Sequence, residues 1–126
     1  MLHIIESKRS VEEIEKMFPE VAAKHKFGVL EVHNLRQIMN QKGIPFEKDC
    51  LVFEVCDPNQ AKKVLEKNLS ISTALPCRIS VFVEKGQTKI ATIKPTALLE
   101  LFHDPSLKAV AEEVERAIFQ MMKELS

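Results

Sequence analysis

One stretch constrains the fold more than any other: CLVFEVCDPNQAKKVLEKNLSISTALPCR, residues 50–78. From Cys50 to Val55 the side chains alternate, as a strand requires. Leu51, Phe53 and Val55 face one way; Cys50, Val52, Glu54 and Cys56 face the other. The period changes at Asp57-Pro58, a cap residue followed by proline at the first helical position. Ala61, Val64 and Leu65 then recur at helical spacing and form a buried stripe. After a loop, a new strand starts near Cys77. A chain that turns from strand to helix to strand this quickly must bury one face of a sheet under helices.

The flanking segments agree. His3 to Glu6 reads as an edge strand. Ser10-Val11-Glu12-Glu13 matches a capping box, in which Ser10 and Glu13 satisfy each other's free amides. Val11, Ile14, Phe18, Val21 and Ala22 follow at helical spacing. Pro19 lacks an amide donor and predicts a kink or a restart. Phe27 to Val32 predicts a strand with Gly28, Leu30 and Val32 on one face. Asn34 can cap a short helix carrying Leu35, Ile38 and Met39, which Gly43 ends and Pro45 confirms as ended.

Arg78 to Glu84 alternates with Ile79, Val81 and Val83 inward. Lys85-Gly86-Gln87 is a hairpin turn, and Thr88 to Ile93 returns as the partner strand. Pro95 opens a short helix holding Leu98, Leu101 and Phe102. Asp104-Pro105 caps a last, long helix. Its stripe is Leu107, Val110, Ala111, Val114, Ala117, Ile118, Met121, Met122 and Leu125, wide enough to cover a sheet or a partner chain. The order is strand, helix, strands, helix, hairpin, helix. It predicts one α+β domain over residues 1–126, with helices on an antiparallel or mixed curved sheet and a long C-terminal helix.

Bulk properties narrow the function. The 126 residues can hold one hydrophobic core. Eighteen basic residues balance eighteen acidic ones, without the basic excess of a nucleic-acid binder. Lys62, Lys63 and Lys67 read as a solvated helix face. No apolar run reaches membrane-span length, and MLHIIESKR lacks the pattern of a signal peptide, so a cytoplasmic protein is expected. Three cysteines are odd in number and sparse, which argues against a disulfide framework. Trp and Tyr are absent, which weakens a case for base stacking.

Four motifs together carry a resemblance. They are Phe27-Gly28-Val29-Leu30, then Lys42-Gly43-Ile44-Pro45-Phe46. Next come Phe53-Glu54-Val55-Cys56-Asp57-Pro58 with Ala61 and Leu65, and finally Leu75-Pro76-Cys77-Arg78-Ile79-Ser80-Val81. In order and spacing they resemble the bacterial and archaeal domain-of-unknown-function family numbered three hundred and two, from about residue 4 to 99. The resemblance implies a compact α+β fold similar to the TATA-box-binding-protein arrangement, and a homodimer. It implies no activity. The helix at about 105–125 looks like an extension of that core. DNA binding is not imported with the fold name, since fold does not fix function.

The chemistry-bearing candidates cluster at two segments. Cys56 precedes the cap of a helix, and Cys77 is followed by Arg78. Helix amides and a cation both lower a thiol pKa, so thiol-dependent redox or sulfur handling is one expectation. The alternative makes both cysteines small buried hydrophobes, and the parity of Cys77 with Ile79, Val81 and Val83 favours that. The other expectation is a non-catalytic module. It would bind a small anionic ligand or a protein partner in a cleft bordered by Cys56-Asp57-Pro58 and Pro76-Cys77-Arg78. A third expectation is a dimerisation module with the last helix in the interface. The cysteine spacings match no zinc pattern, and His3, His25, His33 and His103 are scattered, so no metal or other cofactor is expected. Glu12-Glu13 and Glu112-Glu113 are solvated helix faces. No nucleophile elbow or glycine-rich phosphate loop is present, and no catalytic constellation is legible.

Overall fold

A computed structural model describes all residues, 1–126. Strands β1 (Leu2–Ser7), β2 (Gly28–Asn34), β3 (Cys50–Cys56), β4 (Cys77–Glu84) and β5 (Gln87–Ile93) form one sheet in the order β1-β5-β4-β3-β2. Every neighbouring pair is antiparallel, which settles the alternative of a mixed sheet. Helices α1 (Val11–Lys24) and α5 (Lys108–Leu125) cover one face. Helices α2 (Leu35–Gln41) and α3 (Pro58–Lys67) lie between strands in the chain, and α4 (Pro95–Glu100) follows the last strand.

The alternation in β3 is as the sequence requires. Leu51, Phe53 and Val55 are buried, and the residues between them are partly exposed. Phe53 stacks on Phe18 of α1, with ring centroids 3.9 Å apart and planes 6° from parallel. That contact fixes α1 over the middle of the sheet. Ser10 and Glu13 form the expected capping box. An N-cap of this kind contributes about 1 kcal/mol. From α5, Ile118, Met121, Met122 and Leu125 all reach full burial against the same sheet. The last helix therefore covers its own sheet, and its outer side carries Glu112, Glu113, Lys123 and Glu124. Phe119 stacks on His3 at 3.9 Å, and Ser7 Oγ donates to the Ser126 carbonyl at 3.0 Å, so α5 also fastens the edge strand β1.

Several expectations need correction. Helix α1 runs through Pro19 to Lys24 without a restart. Pro19 and Glu15, whose carbonyl loses its donor, both lie on the exposed side, where water replaces the bond. Gly28, Leu30 and Val32 do not share one face: Gly28 lies opposite Cys56, away from the core, and Val32 opposite the buried Phe53. The β2–β3 register skips Leu30, pairing Val29 with Val55 and Glu31 with Glu54. This bulge ejects Leu30 into solvent and turns both Val29 and Val32 toward the core. The segment after α3 is a 3-10 helix, Leu69–Ala74, with Ile71 buried. Asp104 caps a short 3-10 turn, Pro105–Leu107, which leads into α5; α5 itself has no side-chain cap. In α4 the buried residues are Pro95 and Leu99, and Leu101 beyond its end is exposed.

Two helix ends use one device with different residues. After α2, Gly43 N–H donates to Asn40 and Ile44 N–H to Met39, with Gly43 at φ 78°. After α1, Lys26 N–H donates to Ala23 and Phe27 N–H to Ala22, with Lys26 at φ 66°. Both are Schellman ends. Glycine adopts this conformation freely; a lysine does so at a cost of about 1 kcal/mol.

The buried residues fall into two clusters. The larger holds sixteen residues between the sheet and helices α1 and α5. The smaller holds Val64, Ile71, Leu99, Leu107 and Ala111, and joins α3, the 3-10 segment, α4 and the start of α5.

Candidate functional site

The two clusters do not close fully on each other. Val55, Cys77, Phe27 and Val114 come from the large-cluster side; Val64, Leu75, Leu99 and Val110 come from the small one. Between them lies an apolar cavity in which 12 of 15 lining residues are hydrophobic. Asp57, Gln60 and Pro95 complete the lining, which exposes almost no polar surface. Counted out to bulk water, the empty space is about 510 Å³. The space open to the centre of a water-sized sphere is about 40 Å³. One water needs roughly 10–15 Å³, so the slot holds a few non-hydrogen atoms.

The expected site residues divide three ways. Cys56, Asp57 and Cys77 line the cavity. Pro58 lies on a shallower apolar groove outside α3, which Cys56 also borders. Arg78 is elsewhere. In β4 side chains alternate, so Cys77 shares a face with Ile79 and Val81, and Arg78 points to the opposite face across from Glu54. Arg78 therefore does not line the cavity with Cys56, Asp57 and Cys77. The α3 amides are also engaged: the Asp57 carboxylate accepts from Asn59 N–H at 3.1 Å and Gln60 N–H at 3.4 Å.

The thiols are not activated as their neighbours in the sequence suggest. Burial pushes Cys77 up to about 11, and nearby Cys56 adds to the rise. Cys56 is also raised, by burial and then by the Asp57 carboxylate. Both changes reduce the thiolate fraction at neutral pH, and neither the helix amides nor Arg78 offsets them. All three cysteines are free thiols. Nowhere do three His, Cys, Asp or Glu side chains converge as metal ligands would.

Sequence reasoning missed Gln60. Its Oε1 is buried beside the cavity and has no hydrogen-bond partner. An acceptor left without a donor costs about 1–3 kcal/mol. Helical periodicity ranks Gln60 as a polar surface residue, so nothing in the local pattern points to it. It also missed a second groove, of about 790 Å³ counted out to bulk water, that shares Phe27, Asp57, Gln60 and Val114 with the cavity. Lys24, Lys26 and Lys63 line this groove, together with Glu113 and Asn59. None of the three lysines forms an ion pair. His25, at the same rim, is bound by Glu124 at 3.2 Å, and that contact holds the Glu124 carboxyl below its ordinary value. The cluster Lys62, Lys63, Lys67 is thus no uniform face. Lys62 pairs with Glu66, Lys67 donates to the Ser106 carbonyl, and Lys63 borders the groove.

The sequence matches the family described as Domain of unknown function DUF302 over residues 3–125. The chain belongs to the DUF302 family. The match runs through α5, so the DUF302 likeness is not confined to residues 4–99. One solved structure is the uncharacterized conserved protein DUF302 from Bacillus stearothermophilus. It is 30% identical, with 99% of this chain and 98% of that chain covered and a TM-score of 0.94. No functionally curated protein matches. No helix of this DUF302 protein is long and apolar enough to cross a membrane.

Proposed function

We propose that this protein is a non-catalytic cytoplasmic binding module, working as a homodimer, whose cavity takes a short, slim apolar group carrying a hydrogen-bond donor. The observation that carries the proposal is the seam cavity with the unpartnered Gln60 Oε1 beside it. An apolar wall favours a hydrocarbon guest, and the lone acceptor selects one with an N–H or O–H next to that hydrocarbon. The small volume favours a chain end over a ring system. This replaces the anion expected at Arg78. The meeting of Cys56 and Cys77 at one cavity is what favours the thiol-chemistry alternative, and the raised pKa values of both thiols weigh against it.

Hexanamide is a suitable probe, since it is uncharged, slim and a donor. Titration followed by NMR should shift the signals of Gln60, Val64, Leu99 and Val110. Ala61→Leu, which adds bulk to the cavity wall, should abolish those shifts while the protein stays folded. Shifts that persist unchanged in Ala61→Leu, or that never arise, would sink the proposal.

Pairing of two copies is supported by the sheet face opposite α1 and α5. By register, Leu2, Ile4, Val52, Phe82 and Ile93 lie there, and Leu2, Ile4 and Ile93 are all exposed. Sedimentation at micromolar concentration should give a dimer, and Phe82→Lys a monomer. A wild-type monomer at that concentration refutes the pairing.

A further inference from the structure

The lysine-lined groove lies against the apolar cavity, because Phe27, Asp57, Gln60 and Val114 belong to the walls of both. A guest spanning both would meet hydrocarbon in the cavity, the unpartnered Gln60 acceptor in the shared wall, and cations in the groove. Each zone selects a different chemistry. The first takes an aliphatic tail, the second a hydrogen-bond donor, the third a negative charge. We propose that the ligand is a short-chain N-acyl amino acid or a molecule of the same three-part chemistry: an apolar tail, an amide N–H and a carboxylate. The proposal rests on the cavity's being a ligand site.

Three features locate the carboxylate in the groove. Lys26 and Lys63 approach it from different elements, the end of α1 and the second turn of α3, and neither is committed to an ion pair. Lys24 adds a third cation, although it also lies near Glu124. The carboxylates on the same walls are Asp57, which is turned to the α3 amides, and Glu113. Lys26 also occupies a left-handed position where glycine would be easier, as Gly43 is at the matching end of α2.

The test compares N-hexanoylglycine with hexanamide on the full chain by NMR titration. The charged probe should bind roughly three- to thirty-fold more tightly at low salt, the range set by two exposed ion pairs. That gain should shrink as ionic strength rises. Lys26→Gly and Lys63→Gln should each lower affinity for N-hexanoylglycine and leave hexanamide unchanged. Lys26→Gly suits the backbone, so its effect cannot come from misfolding. Hexanoic acid, which has no amide N–H, should bind more weakly than N-hexanoylglycine. Equal affinity for the charged and uncharged probes would overturn this inference and leave the cavity proposal standing. Absence of binding by every probe would overturn both.

Discussion

The two apolar clusters solve one problem differently. The larger is closed. Phe18 and Phe53 stack, and Ile14, Val55, Ile79, Val81, Ile90, Ile118, Met121, Met122 and Leu125 have no measurable exposure. Its partners are long elements that lie flat against one sheet face. The smaller is built from two short helices, a 3-10 segment and the first turn of α5, which meet at angles and leave room at the seam. Regular elements pack to a dense core; short ones joined by turns leave gaps. The gap is the site proposed for a ligand.

This contrast predicts different responses to similar damage. Phe53→Ala should cost about 3–5 kcal/mol and lower the thermal transition of the whole domain, because nothing can collapse into the space between α1 and β3. Ile71→Ala should cost less, about 2–3 kcal/mol, since the neighbouring cavity lets the small cluster relax. Native-state hydrogen exchange sharpens the comparison. Amides of α3 and α4 should exchange through openings of lower free energy than those of β3 and β4, and Ile71→Ala should widen that difference. Equal exchange free energies in the two regions would make them one cooperative unit and break the distinction.

The smallest effect concerns Cys77, which stands between the clusters. Its folded pKa, about 11, lies above its ordinary value of 9.0. The buried neutral thiol therefore contributes stability that is fully present below pH 9.0 and is lost as the pH rises toward 11. Denaturation curves should show an alkaline decline across that window, and Cys77→Ala should flatten it. Alkylation should reach Cys56 before Cys77, with both slow at neutral pH. Rapid labelling of Cys77 at pH 7 contradicts its placement in the seam.

Most of the large cluster was legible from residue order, because it is made of regular elements. Alternation exposed Leu51, Phe53 and Val55; the capping box placed α1; the long stripe identified α5. The failures share a cause. Leu30 was misplaced because a bulge breaks the two-residue period without leaving a glycine or proline to mark it. Ile71 went unseen because a 3-10 segment has too few turns to show a stripe. The candidate site was legible only in part. Cys56 and Asp57 sit where β3 runs into α3, and Cys77 is the first residue of β4; local patterns locate such element ends well. Gln60, Lys26 and Lys63 come together through the packing of α1, α3 and α5, and no spacing in the chain encodes that meeting. Arg78 was grouped with Cys77 because they are adjacent; adjacency in a strand places side chains on opposite faces.

The pairing of β1 with β5 has a consequence for how the molecule is made. Leu2 lies opposite Ile93, and Ser7 opposite Thr88. During synthesis, the first strand to leave the ribosome has no partner until nearly the whole sheet has followed it. Leu2, Ile4 and Ile5 wait in that interval as an unpaired apolar strand, the kind of segment that other nascent chains can capture. Helix α5, which fastens β1 through Phe119 and Ser126, emerges later still. The N-terminal strand is thus first out and last secured, and it is the segment for which a chaperone would have most to do.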